Sequence, residues 1–212
     1  MTHRLQPVLS DALVFRCVPV RNIFVEPQPK TLGKIMTHPI LVLPGIGNSG
    51  LDHWQTLWEQ GNMAMERVHA RDWTQAVCSE WVSTLEAAVG FSGPQTVLVA
   101  HSLACLQVAH WALRTSLRIH GALLVAVPDP SGASFPAEAS GFDPIPLERF
   151  PFSSIVVASL NDPYGNIGHA RQCAQAWGSR IVEIGNAGHI NSSSNLGDWP
   201  QGKALLEELL EP

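Results

Sequence analysis

The sequence predicts an α/β protein: an open, doubly wound, mostly parallel sheet of about six strands. Three features carry that prediction. Short continuous apolar runs recur along the chain, as parallel strands buried on both faces require. Stretches at helical spacing separate them, giving repeated β-α-β units with helices on both faces of the sheet. Several runs end in turns that carry Gly, Ser, Asp or His, and in such sheets the ligand sits at the carboxyl ends of the strands.

The first buried strand is "PILVLP" (39–44). "DHWQTLWEQ" (52–60) follows as a helix, with Trp54, Leu57 and Trp58 at helical spacing. "RVHARDW" (67–73) reads as a weaker, more polar strand near an edge, and "AVCSEWVSTLEAAV" (76–89) as a helix. "QTVLVA" (95–100) is the next buried strand, and a helix is expected from about Ser102 to Arg118. "GALLVAV" (121–127) and "SSIVVASL" (153–160) are further buried strands. Between them lies one long connection, 128–150, rich in Pro, Ser, Gly and Ala; loops of that length in compact domains are usually functional. "GHARQCAQAWG" (168–178) is helical and stops at Gly178. "RIVEIG" (180–185) is the last strand. "WPQGKALLEELL" (199–210) closes as a helix, with Asp198 as candidate N-cap and Pro200 in its first turn.

With 212 residues, 45% hydrophobic and 15% charged, the chain has ample apolar side chains for one core. Its net charge of −5, with no run of Lys or Arg, predicts no nucleic-acid or anionic-membrane footprint. Cys17, Cys78, Cys105 and Cys173 form no C-x-x-C pair, so the expectation is reduced, buried thiols in a cytoplasmic protein rather than a zinc site. No apolar run approaches the roughly 18 residues that span a bilayer, and the N-terminus lacks a secretory pattern. Residues 1–37 read differently from the rest, with short apolar pieces broken by prolines. They are expected to be an N-terminal extension, with Met36 a natural start, ahead of a domain over 38–212. The competing reading is an edge hairpin from "DALVFRCVPV" and "RNIFVEP".

The chemistry lies in the turns. After "QTVLVA" comes "HSLAC", which puts Ser102 where a buried strand turns into a helix. A nucleophilic serine there needs small residues two before and two after, usually spelled G-x-S-x-G; here Ala100 and Ala104 fill both slots. Taken alone, Ser102 also reads as a helix N-cap. After "SSIVVASL" comes "NDPYG" with Asp162, and after "RIVEIG" comes "NAGHIN" with His189. Singly these are turn residues. Together they run Ser, Asp, His, each after a different strand, which is the chain order of an α/β-hydrolase triad. His189 would take the Ser102 proton, and Asp162 would hold the imidazole in the right tautomer.

The loop "PGIGNSG" (44–50) then reads as the second oxyanion segment. One backbone donor is Leu103, after the nucleophile; the other is Ile46 or Gly47. The same loop spells G-x-G-x-x-G, and Asp72 lies near where a ribose-binding acid would sit, so dinucleotide binding is the rival reading. That reading leaves Ser102, Asp162 and His189 unexplained. Asp129, after "GALLVAV", is an alternative triad acid. His53 and Trp54 are candidate substrate-binding residues, with a core role for Trp54 as the competing account. Asn191 and Ser192 orient the base or serve as turn residues, Cys105 packs, and His101 is a structural neighbour.

The segments "ILVLPGIGNSGLDHWQTLWE", "VLVAHSLAC", "ASLNDPYG" and "GNAGHINSSSNLGDWPQG" together resemble the small serine hydrolases of the retinoblastoma-binding-protein-nine and YdeN type, compact members of the α/β-hydrolase superfamily. The resemblance spans residues 40 to 200. It implies Ser102 as nucleophile, Asp162 as acid and His189 as base, on a short core with no large cap domain. The resulting expectation is a carboxylesterase-like hydrolase, or an amidase, working through an acyl-enzyme on a small-molecule ester or amide without metal or organic cofactor. The alternative is a hydrolase-like module that binds a protein partner with little turnover.

Overall fold

In the computed structural model, which describes Met1 and residues 38–62 and 64–211, the apolar runs register into one parallel sheet. Its strands are β1 (Ile40–Leu43), β2 (Met65–Arg67), β4 (Val97–His101), β5 (Gly121–Val125), β7 (Ser153–Ala158) and β8 (Arg180–Glu183), in the order β2-β1-β4-β5-β7-β8. Two short strands, β3 (Ala76–Val77) and β6 (Ala139–Ser140), pair separately. The helices are α1 (Trp54–Gly61), α2 (Cys78–Ser92), α3 (Leu103–Ala112), α4 (Ile167–Trp177) and α5 (Pro200–Leu210). Apart from Met1, the proposed extension over 1–37, and Cys17 with it, lies outside the described residues.

Alternate residues of each central strand face opposite layers. Leu98 and Ala100 of β4 join a core with Trp81 and Leu85 of α2, Leu106 of α3 and Trp177 of α4. Val97 and Val99 join a second core with Trp54 and Trp58 of α1 and Leu205, Leu206 and Leu209 of α5. The sheet is therefore covered on both sides, as its uninterrupted apolar strands demand. The chain runs outward from β1 to β2, then crosses back to β4 and proceeds the other way. That reversal places a switch point between the carboxyl ends of β1 and β4, where open α/β sheets hold their ligands.

Local chemistry moves several expected boundaries. The strand expected over 67–73 ends at Arg67. Beyond it the Asp72 carboxylate accepts from the N–H groups of Thr74 at 2.7 Å and Gln75 at 3.1 Å, making a turn. The helix expected to reach Arg118 stops at Ala112. There Thr115 accepts the Leu117 N–H at 3.0 Å and donates to Glu86 at 2.7 Å, so local side-chain bonding replaces the helical ladder. Asp198 is not the N-cap of α5; that position is Trp199, at φ 41°, while Asp198 pairs with Lys203. The long 128–150 connection contains β6 and buries Phe142.

Candidate active site

Ser102 sits at the sharp turn from β4 into α3, with φ 57° and ψ −126°. A side chain in that region is strained, and the strain lifts it clear of the sheet. The turn is tied by the Ser102 N–H to the Val125 carbonyl at 2.9 Å. Ala100 and Ala104 are both fully buried, which explains why they must be small. Ser102 occupies the N-cap position of α3 but makes no side-chain cap bond to the helix. Its hydroxyl instead donates to His189 Nε2 at 2.7 Å. His189 Nδ1–H in turn faces both carboxylate oxygens of Asp162 at 2.9 Å. Asp162 Oδ1 also accepts the Tyr164 N–H at 2.9 Å. The side chains of His189 and Asp162 are 9% and 2% exposed, which keeps these contacts largely out of water.

Asp129 is elsewhere. It accepts from the Ser131 N–H and hydroxyl at 2.9 and 2.7 Å, and its carboxylate lies 3.8 Å from His169. It is not within reach of His189 as an orienting acid.

Of the expected oxyanion donors, Leu103 N–H and Ile46 N–H have no partner among the described residues. Gly47 is corrected: its N–H donates to the Trp73 carbonyl at 2.7 Å, which leaves Ile46 N–H, of the two expected in that loop, as the unpaired one. Gly45 lets the loop approach. A Cβ there would lie 2.9 Å from Ser102 Cβ and 3.2 Å from the His101 carbonyl oxygen. A cavity of about 290 Å³ opens over these groups, with Ile46, Leu103, Pro128, Phe135 and Pro136 as its apolar lining.

His53 also lines the cavity, but its first task is local. Its Nδ1 accepts the Gln55 N–H at 3.2 Å and caps α1. Trp54 is corrected as a substrate contact: it is 1% exposed, and its indole N–H donates to the Ile190 carbonyl at 2.8 Å. His101 Nε2–H bonds the preceding carbonyl, that of His189, at 2.9 Å. These two donors fix consecutive carbonyls in the segment that presents the His189 ring, where Ile190 holds φ 49°. Sequence reasoning missed this role for "HW" and "HS" because both bonds reach across the fold. Asn191 is a turn residue: it accepts the Ser193 N–H, and its own N–H donates to Ser194. Ser192 sits in the short helical turn that follows.

Burial holds His101 well below its ordinary pKa, and burial, then the charges of Arg67 and His189, push His53 down to about 4. Both rings are therefore neutral near pH 7 and place no fixed positive charge beside His189. Burial raises the Cys105 thiol far above its usual range, and its Sγ donates to the Val125 carbonyl at 3.4 Å, so Cys105 packs and does not react.

A family model described as serine hydrolase matches residues 40–208. The fold is that of the α/β-hydrolases, and the chain belongs to the serine hydrolase family. A YdeN-like hydrolase from Pectobacterium atrosepticum is 30% identical over 82% of this chain and 93% of its own, with a TM-score of 0.71. The ydeN gene product of B. subtilis is 19% identical over 80% of this chain and 97% of its own, with a TM-score of 0.68. The type II thioesterase BorB of the borrelidin cluster, 14% identical over 82% of this chain and 93% of its own, shares the fold at a TM-score of 0.59. Among curated protein sequences, none matches. No helix among the described residues is long and apolar enough to cross a membrane.

Proposed function

We propose that this hydrolase cleaves small carboxylic esters through an acyl-enzyme, with Ser102 as nucleophile, His189 as general base and Asp162 as the acid that orients it. The observation carrying the reading is the 2.7 Å contact of Ser102 Oγ with His189 Nε2, continued from His189 Nδ1 to Asp162. Ser102 Oγ bonds the substrate carbonyl carbon while His189 Nε2 takes the hydroxyl proton. The carbonyl oxygen becomes an oxyanion, held by the N–H groups of Leu103 and Ile46. Asp162 stabilises the imidazolium and stays ionised. As the intermediate collapses, the bond to the alcohol oxygen breaks and His189 returns its proton to that oxygen. Water then attacks the acyl-enzyme, giving a proton to His189, which passes it to Ser102 as the acid departs. An amide would follow the same course with an amine leaving.

The cavity's size supports a small substrate. Its volume of about 290 Å³ lies just below the ~300–1,000 Å³ range typical of ligand pockets. The apolar lining supports a short acyl chain beside Ser102. Cys78, Cys105 and Cys173 are buried free thiols, which fits work in the reducing cytoplasm.

The test is active-site labelling with a fluorophosphonate, with peptide mapping, beside turnover of p-nitrophenyl acetate. One labelled serine, Ser102, is expected, with labelling and turnover lost in folded Ser102→Ala. Labelling that persists in Ser102→Ala refutes the assignment. So does folded wild-type protein that neither labels nor turns over; the cavity would then be a site for a binding partner.

A further inference from the structure

Arg67, the last residue of β2, touches none of the reacting groups, yet its guanidinium is fully occupied around one loop. Nε donates to Glu59 Oε1 at 3.0 Å. One terminal nitrogen donates to Asn48 Oδ1 at 2.9 Å and to the Ser49 carbonyl at 3.0 Å. The other donates to Thr56 Oγ1 at 2.7 Å and to Glu59 Oε2. A guanidinium has five N–H donors in a rigid planar fork, so none is left over. The side chains of Arg67 and Glu59 are only 14% and 17% exposed, so these bonds are poorly screened by water.

Its partners are the end of the loop that carries Ile46, at Asn48 and Ser49, and the helix α1 that follows, at Thr56 and Glu59. Asn48 holds φ 65°, a conformation a side-chain-bearing residue keeps when its surroundings over-determine it. Arg67 supplies that constraint from β2. From α1, Gln55 Oε1 accepts the Ser49 hydroxyl at 2.6 Å, while Gln55 Nε2 bonds the Leu43 and Val99 carbonyls at 3.2 and 3.0 Å. The loop is thus tied to the strand before it, the strand beside it and the helix after it.

We infer that Arg67 is the positioning residue of the oxyanion loop: its fork locks Asn48 and Ser49 to α1 and β2, and so aims the Ile46 N–H at the carbonyl oxygen beside Ser102. The inference rests on the hydrolase reading above. Oxyanion donors act because their direction is set before the reaction, and removing one costs about 10²–10³ in rate. A donor left to drift should cost part of that.

Arg67→Met keeps the apolar stem and removes all the donors. For a short ester, kcat is expected to fall about 10- to 100-fold while KM changes less than about threefold. Inhibition by a boronic acid, which adds to the serine as a tetrahedral anion, should weaken in parallel. Arg67→Lys keeps the charge without the fork and should recover thermal stability more than kcat. Amide hydrogen exchange over residues 45–50 should quicken in Arg67→Met while β4 and β5 keep their protection, a readout that needs no turnover. Wild-type kcat with unchanged exchange in the loop overturns the inference, as does a loss carried by KM alone. If Arg67→Met does not fold, Asn48→Gly replaces it: glycine accepts the same φ, one acceptor is lost, and a several-fold drop in kcat is expected, with no drop counting against the clamp. Wild-type protein that neither labels nor turns over would sink the hydrolase reading, and the exchange result would still decide whether Arg67 holds the loop.

Discussion

Asp162→Asn puts the proposed orienting acid to a sharp test, because the Tyr164 N–H fixes where the new amide's oxygen sits. Asp162 Oδ1 accepts the Tyr164 N–H at 2.9 Å, and an asparagine must leave its carbonyl oxygen there to avoid an unmet donor. Its NH2 then takes the place of Oδ2, 2.9 Å from His189 Nδ1, beside the carbonyl oxygen that stays at Oδ1, also 2.9 Å from Nδ1. An amide that donates to Nδ1 moves the imidazole proton to Nε2. Nε2 then faces Ser102 Oγ at 2.7 Å as a donor, and the base is gone while the shape is kept. The expected loss in kcat is about 10⁴-fold, which is roughly 5.4 kcal/mol at 1.36 kcal/mol per decade. The assay is steady-state release of p-nitrophenol from p-nitrophenyl acetate, with circular dichroism and thermal melting to show that the fold is intact. Asp129→Asn is the matched control, and its kcat should not move, since that carboxylate serves Ser131 and His169. Retention of more than about a tenth of kcat in Asp162→Asn, or a larger loss in Asp129→Asn, would refute the reasoning.

Two further outcomes follow from single contacts. Gly45→Ala places a Cβ 2.9 Å from Ser102 Cβ, so the loop or the elbow must shift; kcat should drop on the order of 10²-fold with the fold retained, and a near-normal fluorophosphonate labelling rate would count against it. His53 has its pKa depressed to about 4 from an ordinary 6.5, by burial first, so the unfolded chain binds its proton at a higher pH than the native chain does. That contribution is fully present above pH 6.5 and is lost as pH falls toward 4, to a total on the order of 3 kcal/mol. His53→Asn keeps an acceptor for the Gln55 N–H and does not titrate. The urea-unfolding free energy of wild type minus that of His53→Asn should therefore shrink between pH 7.5 and pH 5, and a constant difference would discard the assignment.

What could be read from the chain was set by how local the cause is. β1, β4, β5 and β7 are uninterrupted apolar runs, and burial on both faces writes that pattern directly into sequence. Ser102, Asp162 and His189 follow β4, β7 and β8, and parallel strands bring their carboxyl ends to one edge. Their proximity therefore follows from topology alone. Residues whose distant partners follow from no strand-end pattern were not legible. The helical spacing of Trp54 marks a buried face and says nothing of an indole N–H that bonds Ile190, 136 positions away. Arg67 reads as a charge on a weak edge strand, and nothing nearby in sequence announces that its fork reaches Asn48 and Ser49. The premature end of α3 has the same origin, since Thr115 competes with the helix through Glu86 of α2.

The glycine loop at 44–50 shows why spacing alone could not choose between a phosphate and an oxyanion. Both uses need a backbone able to turn its N–H groups toward a ligand at the switch point between two strands. They differ in number. A pyrophosphate draws on several consecutive donors at a helix N-terminus, whereas one carbonyl oxygen needs only one donor from each side. In this loop Gly47 N–H goes to Trp73, Asn48 N–H to Gly45 and Ser49 N–H to the Asn48 side chain. The first turn of α1 is already served by His53, which takes the Gln55 N–H. Asp72, where a ribose acid was conceivable, holds Thr74 and Gln75 instead. Gly45, meanwhile, presses the loop against Ser102 more closely than any side chain would allow. A loop that binds the N–H groups of Gly47, Asn48 and Ser49 internally and leaves Ile46 N–H unpaired beside a strained serine fits the proposed oxyanion role, one small charge that appears during a reaction, better than a ligand that arrives already carrying several.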